Sequence, residues 1–108
     1  MSERVARATV LGITADGKKI VAASSSGPSS YSSGGFSVRI PELNMVDQVL
    51  FAFITGGYKV GGLSISGNSV TVVVHYYTYS SSSDGPSGEV PNGTDLSAQT
   101  VTLVVIGY

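Results

Sequence analysis

A long stretch of this sequence, residues 69–79, alternates in side-chain character with a period of two. In an extended strand, successive side chains point to opposite faces, so the spacing over residues 69–79 predicts a β-strand. One face would carry Val70, Val72, Val74, Tyr76 and Thr78, and the other Thr71, Val73, His75, Tyr77 and Tyr79.

Two dipeptides mark tight turns between such stretches. Asp16-Gly17 predicts a hairpin over residues 4–23 closed by a two-residue type I′ turn, because glycine accepts the positive φ that this turn requires. Gly67-Asn68 predicts a second two-residue hairpin, which leads into the strand over 69–79. Neighbouring strands should therefore pair antiparallel.

Three further segments predict strands. Residues 36–40 alternate as a half-buried strand does, 49–54 form a continuous apolar run, and 100–106 form the last strand. About seven strands and no periodic helix predict an all-β fold: a single two-sheet antiparallel sandwich, immunoglobulin-like or jelly-roll-like in outline. A chain of 108 residues fits one domain spanning residues 1–108.

Two polar segments interrupt the strands. Residues 24–35 are rich in serine and glycine, and this composition predicts a flexible loop in which Tyr31 is the sole anchor. Residues 80–98 form a long polar loop of a kind that is usually functional or mobile.

Charge and cysteine content exclude several classes of partner. The formal net charge is −1 and charged residues make up 12% of the chain, so we expect neither nucleic acid nor a membrane surface as a partner. The chain contains no cysteine, which excludes disulfides and thiolate metal sites. The first residues lack the apolar segment of a secretory signal, so we expect synthesis in the cytoplasm.

Chemistry-bearing residues form no catalytic motif. His75, the only histidine, lies within a strand and has no activated serine or acidic partner at a recognisable spacing. Asp84, Glu89 and Asp95 share one loop, but their spacing matches no EF-hand, and acids in such loops usually cap turns. We therefore expect no enzyme activity, no small-molecule substrate, no cofactor and no metal.

The aromatic residues are the most suggestive cluster. The candidates for an interface are Tyr76, Tyr77, Tyr79, Tyr31, Phe51 and Phe53. Tyrosine supplies a large contact area with a polar tip, which suits a subunit interface or a sugar platform, but it is also a common strand residue. Tryptophan, which carbohydrate binding usually uses, is absent from the chain.

The hairpin over 64–72, the segment 89–97 and the strand over 100–108 resemble small β-sandwich structural proteins of tailed bacterial and archaeal viruses. That group comprises capsid decoration, cement and tail-associated proteins. The resemblance implies a virion component made in the host cytoplasm, homo-oligomeric and bound to a major capsid or tail protein. Virion assembly would account for a serine-rich β-protein without a secretory signal.

Two alternatives stay open. One is an extracellular filament or pilus subunit in which the terminal strand, 100–106, completes the sheet of the next subunit. The other is a carbohydrate- or protein-binding accessory module.

Overall fold

A computed structural model describes residues 3–76 and 89–108, and in this part of the chain it contains eight β-strands and no helix. The strands are β1 Glu3–Val5, β2 Arg7–Ile13, β3 Lys19–Ser26, β4 Phe36–Arg39, β5 Val46–Ile54, β6 Tyr58–Ser66, β7 Ser69–Tyr76 and β8 Thr100–Gly107. The predicted all-β class is confirmed.

The strands form two four-stranded sheets. The first sheet has the order β1-β4-β7-β6 and the second the order β2-β3-β8-β5. The predicted two-sheet sandwich is confirmed, and its sheets are mostly antiparallel; β1 alone among the described pairings runs parallel to its neighbour, β4. The N-terminal stretch splits at Ala6, whose N–H donates to the Arg39 carbonyl, so that β1 and β2 belong to different sheets.

The core lies between the sheets and consists of the inward-facing residues of both. In β8 every second residue is buried, and in β3 and β4 the same alternation appears. The fully buried strand residues with the largest side chains include Phe36, Val21, Val38, Val70, Val72, Val74, Leu103 and Ile54. Each such side chain contributes about 1.5–3 kcal/mol by leaving water.

The Gly67-Asn68 hairpin forms as predicted, with Ser66 and Ser69 paired on either side. Its turn is also a connector between the sheets. The Asn68 side-chain amide donates to the carbonyls of Ile40 and Leu43, and Gly67 accepts a hydrogen bond from the Val46 N–H. The turn therefore anchors the crossover from β4 to β5.

The first hairpin also forms, but its turn is longer than the predicted two-residue type I′ turn. Thr14 and Lys18 close a three-residue loop, in which the Gly17 N–H donates to the Thr14 carbonyl and Gly17 has a φ of 87°. A type I turn followed by a left-handed glycine gives this geometry. Asp16-Gly17 is compatible with both turns, so the dipeptide alone does not set the loop length.

The serine- and glycine-rich segment begins later than predicted, because β3 continues to Ser26. Residues 27–35 then cross to β4 and are tied to the 91–99 segment. Gly27 donates to the Gln99 carbonyl, and the Pro28 carbonyl accepts from Leu96. Composition predicts a flexible loop here, but these backbone hydrogen bonds hold the segment against a neighbour that is distant in sequence.

Tyr31 is the anchor of this segment, and it is 1% exposed. Its hydroxyl donates to Glu89 Oε2 at 2.6 Å and accepts a hydrogen bond from the Val74 N–H at 3.1 Å. Its ring meets Phe36 edge to face, with 6.5 Å between ring centroids. Burial, followed by the hydrogen bond to Glu89, raises the pKa of Tyr31 to about 12, so the hydroxyl remains a donor.

Of the predicted 80–98 loop, residues 80–88 lie outside the described residues. The remainder packs on the core, because Val90 and Leu96 are buried and Glu89 forms a bridge with His75. This part of the segment is therefore a structural element of the sandwich.

We predict that Tyr31→Phe destabilises the fold by about 1–3 kcal/mol, because it leaves the buried Val74 N–H without its acceptor while keeping the ring. Urea denaturation measures the difference. Ser29→Ala, in the same segment at an exposed position, is the control and should change stability by less than about 0.5 kcal/mol. Equal stability of Tyr31→Phe and the wild type would contradict the anchoring role.

Glu89 adds a pH dependence to this network. The Tyr31 hydroxyl, and then the Gly34 N–H, hold the pKa of Glu89 below its ordinary value of 4.5. A carboxylate with a lowered folded-state pKa stabilises the fold above the unfolded-state pKa, and this contribution is lost as the pH falls through the folded-state pKa.

We therefore expect Glu89→Gln to have a shallower loss of stability below pH 4.5 than the wild type, because the amide oxygen still accepts hydrogen bonds but does not titrate. Thermal melting between pH 3 and pH 7 measures this. Parallel pH profiles for the two proteins would show that Glu89 does not contribute.

Candidate interaction surface

Two phenylalanines of β5 are exposed to solvent. Phe51 is 54% and Phe53 51% exposed, and their rings stack with centroids 6.4 Å apart and planes inclined by 13°. Exposed single apolar residues are common on protein surfaces, but a stacked pair of large rings on one strand is a concentrated apolar feature. We call this pair the Phe ridge.

Strand register determines the face of the second sheet on which the Phe ridge lies. In β5, Val49 pairs with Val105 and Ala52 with Leu103, and these residues face the core side of the second sheet. Phe51 pairs with Val104, and the register shifts between Val49 and Phe51, so that Leu50 is an inserted residue. The continuous apolar run therefore supplies both faces of the strand.

The outer face of the second sheet places both apolar and polar residues beside the Phe ridge. Three rows of cross-strand neighbours run from β2 through β3 and β8 to β5. They read Gly12-Ile20-Ile106-Gln48, Thr9-Ala22-Val104-Phe51 and Arg7-Ser24-Thr102-Phe53. Arg7 is the only charged residue in these rows, and it lies at a corner.

Strand geometry gives the extent of this outer face. At about 4.8 Å between strands and 3.3 Å per residue, the three rows with their side chains cover roughly 400 Å². The largest exposed apolar patch of a typical monomer covers about 300–600 Å² and is often functional, so a face of this extent is a candidate contact surface.

A shallow groove lies on the same face, over β3. It has a volume of about 300 Å³, and its walls come from β2 and β8. Its floor is low because β3 presents the small side chains of Ala22 and Ser24 there. We call it the β3 groove. The strand β8 separates it from the Phe ridge.

Charged and polar groups lie beyond one end of the rows. Lys18 Nζ is 2.7 Å from Asp47 Oδ2, and it also lies 5.4 Å from the centre of the Tyr108 ring. The hydrogen bond to Asp47 raises the pKa of Lys18. An apolar centre with a polar rim is the usual composition of a protein interface.

The sheet edges have a different character from this face. The pairings of β2, β5 and β6, which are edge strands, each contain a shift in register, while the described pairings of β3 with β8 and of β4 with β7 contain none. The remaining edge strand, β1, has three residues. Bulges and short strands at edges hinder the addition of a further strand, so the faces are better suited to binding than the edges.

The structure separates the six interface candidates. Phe51 and Phe53 lie together on the outer face, whereas Tyr31 is buried and has no side-chain surface to offer a partner in this fold. Tyr77 and Tyr79 lie outside the described residues, as does the side chain of Tyr76.

The other members of the surface cannot be identified from the sequence. Ile20, Ala22, Val104 and Ile106 lie in predicted strands, but their exposure depends on the pairing of β3 with β8. Alternation within each strand was the available signal, but it does not say which of the two faces is covered.

His75 packs against Gly61, where an added Cβ would lie 2.3 Å from the imidazole ring. No group of three metal-ligating side chains is present in residues 3–76 and 89–108. Within those residues there is also no helix that could cross a membrane.

A second groove lies beside the β3 groove, towards β1. It is lined by Arg4, Arg7, Ser24–Ser26 and Thr100, and Arg4 Nη2 donates to Ser26 Oγ at 2.7 Å. This hydrogen bond holds Arg4 along the wall of the groove. The arginines make this corner of the molecule basic.

Comparisons of the chain with protein-family models, with curated proteins and with solved structures give no match.

We predict that replacing both ridge residues, Phe51→Thr/Phe53→Thr, changes the free energy of unfolding by less than about 1 kcal/mol, because the rings are exposed and threonine suits a strand. Phe36→Ala, which removes a ring that is 1% exposed, should cost about 3–5 kcal/mol. Urea denaturation of the three proteins checks both values. A ridge variant as unstable as Phe36→Ala would place the rings in the core.

Proposed function

We propose that this chain is a non-enzymatic structural protein of a virus particle, which self-associates and binds a capsid or tail lattice through the outer face of its second sheet. The observation that carries the proposal is the Phe ridge, which remains half exposed on a face that has one charged residue among its three rows. Such a face loses little on desolvation and gains apolar burial when a partner covers it.

The virion setting is supported by the resemblance of residues 64–72, 89–97 and 100–108 to capsid and tail β-sandwich proteins. Stability without cysteine chemistry agrees with this setting. The sandwich is held by paired strands and by the Tyr31 network, and neither requires an oxidising compartment for its formation.

The filament alternative receives less support from the strand order. Donor-strand assembly needs a terminal strand that is free to leave its own chain. The segment proposed for that role is β8, which lies between β3 and β5 and pairs with both of them in its own sheet. Its donation would remove a central strand and three buried side chains, those of Val101, Leu103 and Val105.

The proposal is tested by sedimentation velocity over a wide range of protein concentrations. We expect the wild type to form a discrete oligomer, and Phe51→Thr/Phe53→Thr to weaken association by at least tenfold, because a central interface aromatic typically contributes about 2 kcal/mol or more.

The matched control is Leu63→Thr/Ile65→Thr. These two apolar residues are 43% and 42% exposed but belong to β6 in the other sheet, so their loss should leave association unchanged. Electron microscopy and a glycan array complete the test. Concentration-dependent fibres would favour the filament, and a monomer that binds glycans would favour the accessory module; either result overturns the proposal.

A further inference from the structure

The Phe ridge and the β3 groove lie on one face, at equal distances from the strand between them. In the second sheet β8 has β5 on one side and β3 on the other, so ridge and groove are each one strand spacing, about 4.8 Å, from β8. We infer that this face is self-complementary, and that a second copy of the chain docks on it with the ridge of each copy in the β3 groove of the other. This inference rests on the proposed function and identifies a second copy of the chain as the partner of this face.

A two-fold axis determines which strands of the two copies face each other. When two copies face each other across a two-fold axis that runs along β8, the axis exchanges left and right but preserves position along the strand. The β5 strand of one copy then lies over β3 of the other, and β8 lies over β8. Sheets that pack face to face keep their strands within about 30° of each other, which this axis allows.

The side chains match row by row in this arrangement. Phe51 shares a row with Ala22, so it would face Ala22 of the second copy, and Phe53 would face Ser24 in the same way. A large side chain therefore meets a small one at both positions. On the axis, the Val104 side chains of the two copies would face each other, and this contact is also apolar.

One charge lies at this contact. Arg7 of β2 lines the outer wall of the β3 groove, so the Phe53 ring of the second copy would lie beside its side chain. The Lys18–Asp47 pair lies past the end of the rows and joins the rim. Arg7 is the only charged residue of the three rows, and it lies at the edge of the contact, where its guanidinium keeps access to water.

The buried area determines the expected affinity of the dimer. Only β3, β8 and β5 overlap in this arrangement, so each copy contributes roughly 300 Å² and the contact buries roughly 600 Å², about half of the smallest standard interface; we therefore expect a weak, reversible dimer.

The test exchanges the sizes of one facing pair. Ala22→Phe alone places a ring opposite Phe51, and Phe51→Ala alone leaves a gap; we expect each to raise the dimer dissociation constant at least tenfold. The double variant Ala22→Phe/Phe51→Ala restores a large side chain opposite a small one, so it should recover association to within about threefold of the wild type. Sedimentation equilibrium measures the constants.

Ser64→Phe is the control, because it adds the same ring to an exposed position of the first sheet. It should leave dimerisation unchanged. Melting followed by circular dichroism verifies that every variant is folded. If the ring at residue 22 prevents folding, a cross-linking experiment decides instead.

That experiment uses the absence of native cysteine. Gln48 and Ile20 share a row, so Gln48→Cys in one copy would face Ile20→Cys in the other. A short bismaleimide should link a mixture of these two variants efficiently, and a mixture of Gln48→Cys with Ser64→Cys poorly. Equal linking of both mixtures would overturn the inferred geometry.

The outcomes also separate this inference from the proposed function. If Phe51→Thr/Phe53→Thr abolishes association while the size exchange fails to restore it, the face is an interface but the ridge-in-groove dimer is wrong. If the ridge variants leave association unchanged, the proposed use of this face is wrong as well.

Discussion

The structure depends on the position of β8 between β3 and β5. This last strand pairs over its length with both neighbours, and its inward residues Val101, Leu103 and Val105 are essentially fully buried. Without it, β2 and β3 would be a hairpin separated from β5, and two-stranded sheets are marginally stable in water. The same strand sets the spacing of the surface, because the Phe ridge and the β3 groove flank it on the outer side. One strand therefore closes the core and organises the proposed interface.

In the serine- and glycine-rich segment, one buried side chain helps to order an otherwise polar stretch. Such a composition cannot bury enough apolar surface to offset the entropy of ordering. Tyr31 provides a buried ring and a hydroxyl that satisfies both the Val74 N–H and Glu89. Hydrogen bonds of Gly27 and Pro28 to the 96–99 segment add further support. The two segments order each other, which links the β3–β4 connection to the chain that precedes β8.

The edges and the faces of the sandwich differ in how well they suit the binding of another chain. The long edge strands β2, β5 and β6 contain irregular pairings, which hinder uncontrolled strand addition. The outer face of the second sheet has regular pairing of β3 with β8 in its centre and apolar residues on β3, β8 and β5, so the proposed contact uses this face.

Local sequence pattern is enough to predict the all-β class, both hairpins and the strand character of 49–54 and 100–106, because period-two alternation and turn dipeptides are local properties of the chain. It also singled out Phe51 and Phe53. Strand pairing in three dimensions sets the parallel arrangement of β1 and β4, the central position of β8 and the burial of Tyr31. It also places the groove formed by Ala22 and Ser24 on the same face as the Phe ridge, across β8. These properties depend on which distant strands pair and in what register, and alternation within a strand distinguishes its two faces without stating which one the core covers.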